Sequence, residues 1–591
     1  MLILGFYEGH NSSCSIVEDG RILYSVEEER LSRIKGHDGR NSRHGMPHRS
    51  LQSALDFIAE KSIDKIALAL EPPALLRAKA MGFWADAIKN DDCPEIADYF
   101  VNIDNNVLGK YLIGEREYHD ISFATQNRRL ADAKNLLSDR GLDGINIELF
   151  GHHDCHHASC FYTRTHEKGI IFSLDGRGDA LSGMVSTFSD GQIQVEKRIS
   201  SLHSIGHFYS AITVALGFKA VKHEGKITGL AAFGVPCANL LAHFKSLVNV
   251  SDDGLCLKSK LFRGGAYGPY PFADFQRYID RVSYIISGYP KEVIAATAQK
   301  HIEEVICEWI ANWARFTKQE NVYLCGGVFS NVKLNQRVAE LGLFSSVTVH
   351  PGMTDCGLSL GAALKAFDSS AASELKDCYL GPRVHDEAIE SILESLNSKY
   401  LITCPENMAL EAANLLAEKK IIARFSGRLE YGPRALGNRS ILYHAGDPTA
   451  NDWLNKQLNR TEFMPFAPVT LAHDAKLCYE IPNSTDVSSS LQFMTMTVNC
   501  TDYMKKICPA VVHIDGTARP QLVHSDVNPD YYDIINEYKL LTGIGTIVNT
   551  SFNLHDEPIV NTVEEAVRAF VESGLDGLIL GKYLVLLKEV M

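Results

Sequence analysis

Within its first third the chain spells the same pattern of short strands and turns twice, and that repeat constrains the fold more than any other feature. Near the start, Leu2-Ile3-Leu4-Gly5-Phe6-Tyr7 reads as a buried strand followed by a polar Gly/Asn/Ser turn. Ser13 to Val17 and Arg21 to Val26, joined by Glu18-Asp19-Gly20, complete a meander. The same grammar returns at Gly169. Ile170 to Leu174 is a strand, and Asp175-Gly176-Arg177-Gly178-Asp179 is a polar Gly-rich turn. Met184 to Phe188 and Gln192 to Val195 are strands joined by Ser189-Asp190-Gly191. Two such copies predict a duplicated α/β lobe with a cleft between them.

Between the copies, Ser50 to Lys61 and Asn127 to Asp139 are apolar at helical spacing, and Val293 to Phe316 reads as a long amphipathic helix. Asn321-Val322-Tyr323-Leu324-Cys325 is then a strand ending in Gly326-Gly327. From about Phe367 to Lys376 the residues become small, polar or charged, which sets a boundary. The expected lobes are residues 1–370 and 371–591, with 371–398 as an approximate linker. The second lobe is also α/β, with a helix from Met408 to Lys419 and a strand from Ile421 to Phe425. A length of 591 residues fits about three to five structural units fused into two large lobes.

Composition excludes several classes. Apolar residues make up 45% and charged residues 22%, enough for a sizeable core and far from a disordered chain. Lys and Arg number 58 against 72 Asp and Glu, and a net charge of −14 argues against a nucleic-acid backbone as the main partner. A local basic cleft for a small anion is still compatible with it. No apolar run reaches the roughly 18 residues of a membrane helix. Met1-Leu2-Ile3-Leu4-Gly5 lacks the basic flank and cleavage site of a signal peptide, and the 14 cysteines form no CxxC pair. A soluble cytoplasmic protein with neither membrane nor nucleic-acid partner is expected.

His152-His153-Asp154-Cys155-His156-His157 is the densest chemical motif. On a helix, His152 and His156 share one face at the spacing of two ligands to one ion, and imidazole suits iron, zinc or copper better than magnesium. The alternative is a polar surface turn. In the metal reading His153 and His157 face elsewhere, supporting the ligands or the fold rather than binding the ion. The acidic turn at Asp175 favours the metal. Asp355 precedes a Gly-opened helix, Leu358 to Phe367, and reads equally as a helix N-cap or a ligand. Gly326-Gly327 and Asn331, between a strand and a helix, suit a phosphate or a tight turn without ligand. His10 lies in the first meander's turn, and His223-Glu224-Gly225-Lys226 has the composition of a surface ion pair. Arg434, Arg439, Arg460 and Arg519 lie among Gly and Pro rather than on helical faces, which favours an anion pocket over separate ion pairs.

In this order GRLEYGPRALGNRSIL, MPFAPV, HIDGTARPQ, VNTSFN with EPIV, VEEERLSRIK, HHDCHHASCFY and EGKITGLAAFG resemble the O-carbamoyltransferases that modify nodulation factors, cephamycin, novobiocin and aminoglycosides. The resemblance covers nearly the whole chain. It implies a duplicated actin/sugar-kinase-like (ASKHA) metal-dependent lobe, similar to that of the universal tRNA threonylcarbamoyl transferase, followed by a YrdC-like α/β lobe. The second lobe would make carbamoyl-adenylate from carbamoyl phosphate and ATP, with Mg(II). The first would pass the carbamoyl group to a hydroxyl of a small-molecule alcohol. By motif, His152, His156, Asp175 and Asp355 match the metal site, expected to hold iron(II), Fe(II), with other divalent ions as alternatives. His10 matches the histidine beside the acceptor, a candidate general base. Gly326, Gly327, Asn331, Glu224 and Lys226 match nucleotide positions, and Arg434, Arg439 and Arg519 match carbamoyl-adenylate contacts.

The chain departs from the family pattern in three places. Many members carry Lys and then Arg just before PFAP. Here Asn455 to Met464 looks one residue shorter, Asn459 or Arg460 falls where the lysine would be, and Met464 replaces the arginine. Leu554-His555-Asp556 stands where members often have Arg-Gly, and His156-His157-Ala158 replaces His-Ala-Ala with the ligand spacing intact. A threonylcarbamoyl-tRNA pathway enzyme is opposed by the acidic charge and the lack of an RNA-binding motif. A catalytically silent nucleotide- or metal-binding scaffold is opposed by the near-complete set of site residues. Neither the acceptor nor the oligomeric state is written in these motifs.

Overall fold

A computed structural model of the chain describes residues 1–76, 126–260, 271–369, 373–457, 466–482 and 484–588, apart from 42, 395, 397 and 398. The first sheet consists of β1 (Leu2–Tyr7), β2 (Ser13–Glu18), β3 (Arg21–Glu27), β4 (Lys65–Leu68) and β5 (Asn146–Leu149), in the order β3-β2-β1-β4-β5. The meander is antiparallel, and β4 and β5 extend it in parallel. A second sheet is built from β6 (Gly169–Gly178), β7 (Leu181–Ser189), β8 (Gln192–Ser200), β9 (Asn321–Cys325) and β10 (Ser346–Val349). Its order, β8-β7-β6-β9-β10, reproduces the first strand for strand. The predicted duplication is present.

The second copy differs from expectation at one point. Asp175-Gly176-Arg177 continues β6 through a register irregularity instead of turning. The chain reverses at Asp179 and Ala180, both at positive φ (48° and 67°). Asp175 therefore stands at the distal end of a strand, where a bulge re-aims a side chain.

Helices fill the space around the sheets: α1 (Glu28–Ser32), α2 (His48–Ile58), α3 (His152–Tyr162), α4 (Ile205–Ala215), α5 (Glu224–Ala231), α6 (Lys291–Thr317), α7 (Val332–Glu340) and α8 (Leu358–Phe367). Helices α3 and α8 pack on each other and on the strands β6 and β1. Their close approach depends on Gly361, where an added Cβ would run into the Cys155 carbonyl. Ile3, Ala67, Cys155, Ile171, Leu360 and Ala363 belong to one buried cluster, so the duplicated sheets and these helices share a core.

Downstream, β11 (Tyr400–Thr403), β12 (Ile422–Phe425), β13 (Arg439–His444), β14 (Ala467–Leu471), β15 (Gln521–Val523), β16 (Thr546–Ser551), β17 (Gly577–Leu580) and β18 (Tyr583–Leu587) form an eight-stranded mixed sheet. Its order is β11-β18-β17-β12-β13-β16-β14-β15. Helix α1 ties this sheet's loops to the duplicated lobe. Arg30, in an ion pair with Glu27 at 3.0 Å, donates to the Gly432 carbonyl at 2.9 Å. Arg33 donates to the carbonyls of Ile559 and Pro558 at 2.6 and 2.7 Å. These contacts explain the run of charge in VEEERLSRIK. Among the described residues no helix is long and apolar enough to cross a membrane.

Candidate metal centre and anion cavity

Three elements bring four ligand-type side chains to one point. Helix α3 presents His152 and His156 one turn apart, the end of β6 supplies Asp175, and the 3-10 turn Asp355–Gly357 before α8 supplies Asp355. One donor atom from each lies within 4.8 Å of the others. His156 Nε2 is 3.0 Å from Asp175 Oδ2 and 3.8 Å from Asp355 Oδ1, and His152 Nε2 is 3.4 and 3.5 Å from the same oxygens. The outer oxygens are held in place: Gly327 N–H donates to Asp175 Oδ1 at 2.6 Å, and the Tyr7 hydroxyl donates to Asp355 Oδ2 at 2.9 Å. Asp355 is not at a cap position: Thr354 precedes the 3-10 turn and Gly357 precedes α8.

The cluster fits a divalent ion. His156 is fully buried with its Nε2 turned to the carboxylates of Asp175 and Asp355, so two imidazoles and two carboxylates converge on one buried point that a cation would neutralise. Two nitrogens and two carboxylates match a first-row ion such as iron(II) or zinc better than the all-oxygen preference of magnesium. Burial pulls the His156 pKa down, but the adjacent Asp175 and Asp355 outweigh it and hold it up at about 9. Burial likewise opposes ionisation of Asp175 and Asp355, and the two histidines hold both below the usual carboxylate range. His153 and His157 turn away to the hydroxyls of Ser173 and Ser186 at 2.8 Å, and burial keeps both neutral. Neither ring points at the Asp175–Asp355 pair.

A cavity of about 380 Å³ opens over this cluster. His10, Asp38, Arg40, Arg177, His207, Glu224, Gly327 and Asn331 line it with Asp175 and Asp355. His10 Nε2 is buried without a hydrogen-bond partner, and burial lowers the pKa of the ring, so a neutral imidazole faces the cavity. Gly326 has φ +90°, and an added Cβ would strike the Leu174 backbone, so only glycine lets the loop place the Gly327 N–H against Asp175. Asn331 caps α7 through Leu334 N–H at 3.1 Å and pairs with Gln299, so its amide shapes the rim. Glu224 accepts from the Ser210 hydroxyl at 2.7 Å and from Val221 N–H at 2.6 Å. The surface ion pair suggested by composition is not formed.

Lys226 instead lines a second cavity, of about 510 Å³, together with Arg434 and Arg519. Gly225, on the first turn of α5, lines both cavities, so that turn is a shared wall. Arg439 does not join this set. It is fully buried, lies 3.8 Å from the Phe425 ring centre, and donates to the carbonyls of Ser426 and Asn438 at 2.7 and 2.9 Å. Beside it, Glu430 accepts the N–H groups of Leu436, Asn438 and Arg439 at 2.8–3.0 Å, which fixes the loop carrying Arg434. Arg460 lies outside the described residues. A third cavity, of about 720 Å³ between α5, α6 and α7, adjoins the first through Thr228.

Sequence reasoning missed Tyr7, Asp38, Arg40, Arg177 and His207. Asp38 and Arg40 form a bidentate pair at 2.8 and 2.9 Å at the cavity mouth, and their two-residue spacing in a Gly-rich loop was the available signal.

Residues 2–364 match the family model described as Carbamoyltransferase N-terminus, and residues 413–586 that described as Carbamoyltransferase C-terminus. The nodulation protein NolNO of Sinorhizobium fredii is 29% identical over 98% of this chain and 79% of its own length. The 3'-hydroxymethylcephem-O-carbamoyltransferase of Streptomyces clavuligerus is 26% identical over 96% of each chain. Among solved structures, HypF of T. kodakarensis overlaps 62% of this chain and 47% of its own, at 13% identity and a TM-score of 0.36.

Proposed function

The chain belongs to the carbamoyltransferase family, and from that premise we propose an ATP-dependent O-carbamoyltransferase that acts on a hydroxyl of a small molecule. The observation that carries the reading is the shared wall: Gly225 borders a buried His/Asp cluster on one side and an arginine- and lysine-lined cavity on the other. Two half-reactions are assigned to the two sides.

In the YrdC-like lobe, residues 371–591, Arg434 and Arg519 hold the phosphate and carbamate groups by charge-assisted hydrogen bonds. Water releases phosphate from carbamoyl phosphate. A carbamate oxygen then attacks the α-phosphorus of Mg(II)-bound ATP, and the bond to the β-phosphate breaks to release pyrophosphate. In the ASKHA lobe, residues 1–370, the acceptor oxygen attacks the carbamoyl carbon, His10 takes its proton, and the carbon–oxygen bond to AMP breaks. Burial keeps His10 neutral and so able to accept that proton. His152, His156, Asp175 and Asp355 would hold the divalent ion, iron(II) by the resemblance, which supplies positive charge beside oxygens that gain negative charge. Tyr7 and the Gly327 N–H orient the two carboxylates. The cavity beside Thr228, with Ala231 and Phe233, offers an apolar wall for a nucleoside. A cytoplasmic location is part of the same proposal.

Carbamoyl-phosphate-dependent exchange of labelled pyrophosphate into ATP tests it. The proposal expects exchange only when carbamoyl phosphate is present. No exchange under any condition would return the chain to the silent-scaffold reading.

A further inference from the structure

Resting on that reading, we propose that the second lobe's polyanion site is completed by lysines of the first lobe, Lys226 and Lys222 with Lys35, so that adenylation needs both lobes. The second cavity is built from both. Arg434 and Arg519 come from one side, while Lys35, Lys222 and Lys226 come from the segments around α1 and α5.

Three observations support the assignment. The first is charge. Among the described lining residues only Asp556 carries a carboxylate, and its side chain is 61% exposed. Among the described residues, no carboxylate comes within ion-pair distance of Lys35, Lys222 or Lys226. The three lysines therefore bring like charges together, and a triphosphate or pyrophosphate between them removes the cost of their repulsion. The second is placement. Lys222 Nζ donates to the Lys35 carbonyl at 2.9 Å, which joins the two first-lobe segments at the cavity edge. Glu224 fixes the turn before α5 through Val221 N–H and Ser210, and thereby the direction of Lys226. The third is docking. Arg33, two residues before Lys35, grips the carbonyls of Pro558 and Ile559, two and three residues after the lining residue Asp556. The lysines are thus held on the second lobe's cavity and not merely near it. Lys226 moves from the nucleotide set of the first lobe to the phosphate set of the second.

The test uses the full-length chain with pyrophosphate as the probe, by isothermal titration, alongside carbamoyl-phosphate-dependent exchange. Lys226→Ala and Lys222→Ala should each weaken pyrophosphate binding by about 10- to 100-fold and lower exchange in parallel, through KM more than kcat. Lys226→Arg should retain most of the binding. Combining Lys226→Ala with Arg519→Ala should cost less than the product of the single effects, because both grip one ligand. Wild-type pyrophosphate affinity in both alanine variants overturns the proposal whatever the exchange assay shows. Lysine-dependent pyrophosphate binding in a chain that shows no exchange would support the shared site and sink the carbamoyl-adenylate reading instead.

Discussion

A metal ion entering the His/Asp cluster must displace a proton, and the structure says at what pH that becomes easy. Burial works against charge on His156, yet Asp175 and Asp355 hold its pKa up at about 9, against 6.5 for an ordinary histidine. In the metal-free chain the ring is therefore protonated at pH 7, while both carboxylates, held below their usual range, stay ionised throughout. Competition with one proton makes apparent metal affinity rise about tenfold per pH unit from about pH 7 to 9 and level off above. Over that window the gain is about 100-fold, or roughly 3 kcal/mol. Stability of the metal-free chain runs the other way. A raised histidine pKa contributes fully below about 6.5 and is lost as pH rises through about 9, so metal should stabilise most at alkaline pH. Anaerobic cobalt(II) titration in a chelator buffer, followed by visible absorbance between about pH 6.5 and 9.5, measures the slope. His156→Asn should weaken binding and flatten the dependence. An affinity independent of pH between 7 and 9 would refute this account of the cluster.

His10→Asn should retain carbamoyl-phosphate-dependent pyrophosphate exchange but slow product formation by about 10²–10⁴-fold, as loss of a general base does. Equal loss of both half-reactions, or unchanged transfer, would count against that role. Arg439→Met should leave the half-buried Ser426 carbonyl without its donor and remove one of two donors from the Asn438 carbonyl, at a cost on the order of 1–3 kcal/mol, read as a lower denaturant midpoint, with metal content unaltered. If Arg439 instead contacts the adenylate, exchange would fall with stability intact. Lys333 pairs with Asp515 at 2.7 Å and, against the effect of burial, holds its pKa down at about 2. That pair contributes above about pH 4 and fades as pH falls through about 2. Lys333→Met should therefore cost up to about 1 kcal/mol at neutral pH, given the partial exposure, and nothing in strong acid. A cost that persists below pH 2 would be unrelated to the charge.

The duplicated sheets were legible because their signal is local: short apolar runs broken by Asp-Gly and Gly/Asn/Ser turns, repeated in order. His152 and His156 were legible for the same reason, since one helical turn separates them. Asp175 and Asp355 were readable only as acids near turns. What joins them to the histidines is the packing of α3 on β6 for Asp175 and on α8 for Asp355, tertiary contacts that no spacing encodes. Glu224 and Lys226 show a different limit. Two residues apart on a helix, side chains point about 200° apart, so they cannot serve one site. Composition alone pairs the two charges, whereas α5 sends them to separate cavities. Arg434 and Arg439 looked alike among Gly and Pro. The strand run Ser440-Ile441-Leu442-Tyr443 begins at Arg439, however, and turns it into the core over Phe425, while Arg434 stays in the loop.

The central claim is that carbamoyl transfer here passes through an adenylate made in one lobe and used in the other. Its most direct test is a stoichiometry: incubate the metal-loaded chain with carbonyl-labelled carbamoyl phosphate, ATP and a panel of sugar and natural-product alcohols, then quantify labelled product against AMP by mass spectrometry. The account predicts one AMP for each carbamoyl group gained by the alcohol, and no product without ATP. Labelled product formed in the absence of ATP, or accompanied by ADP in place of AMP, would contradict it.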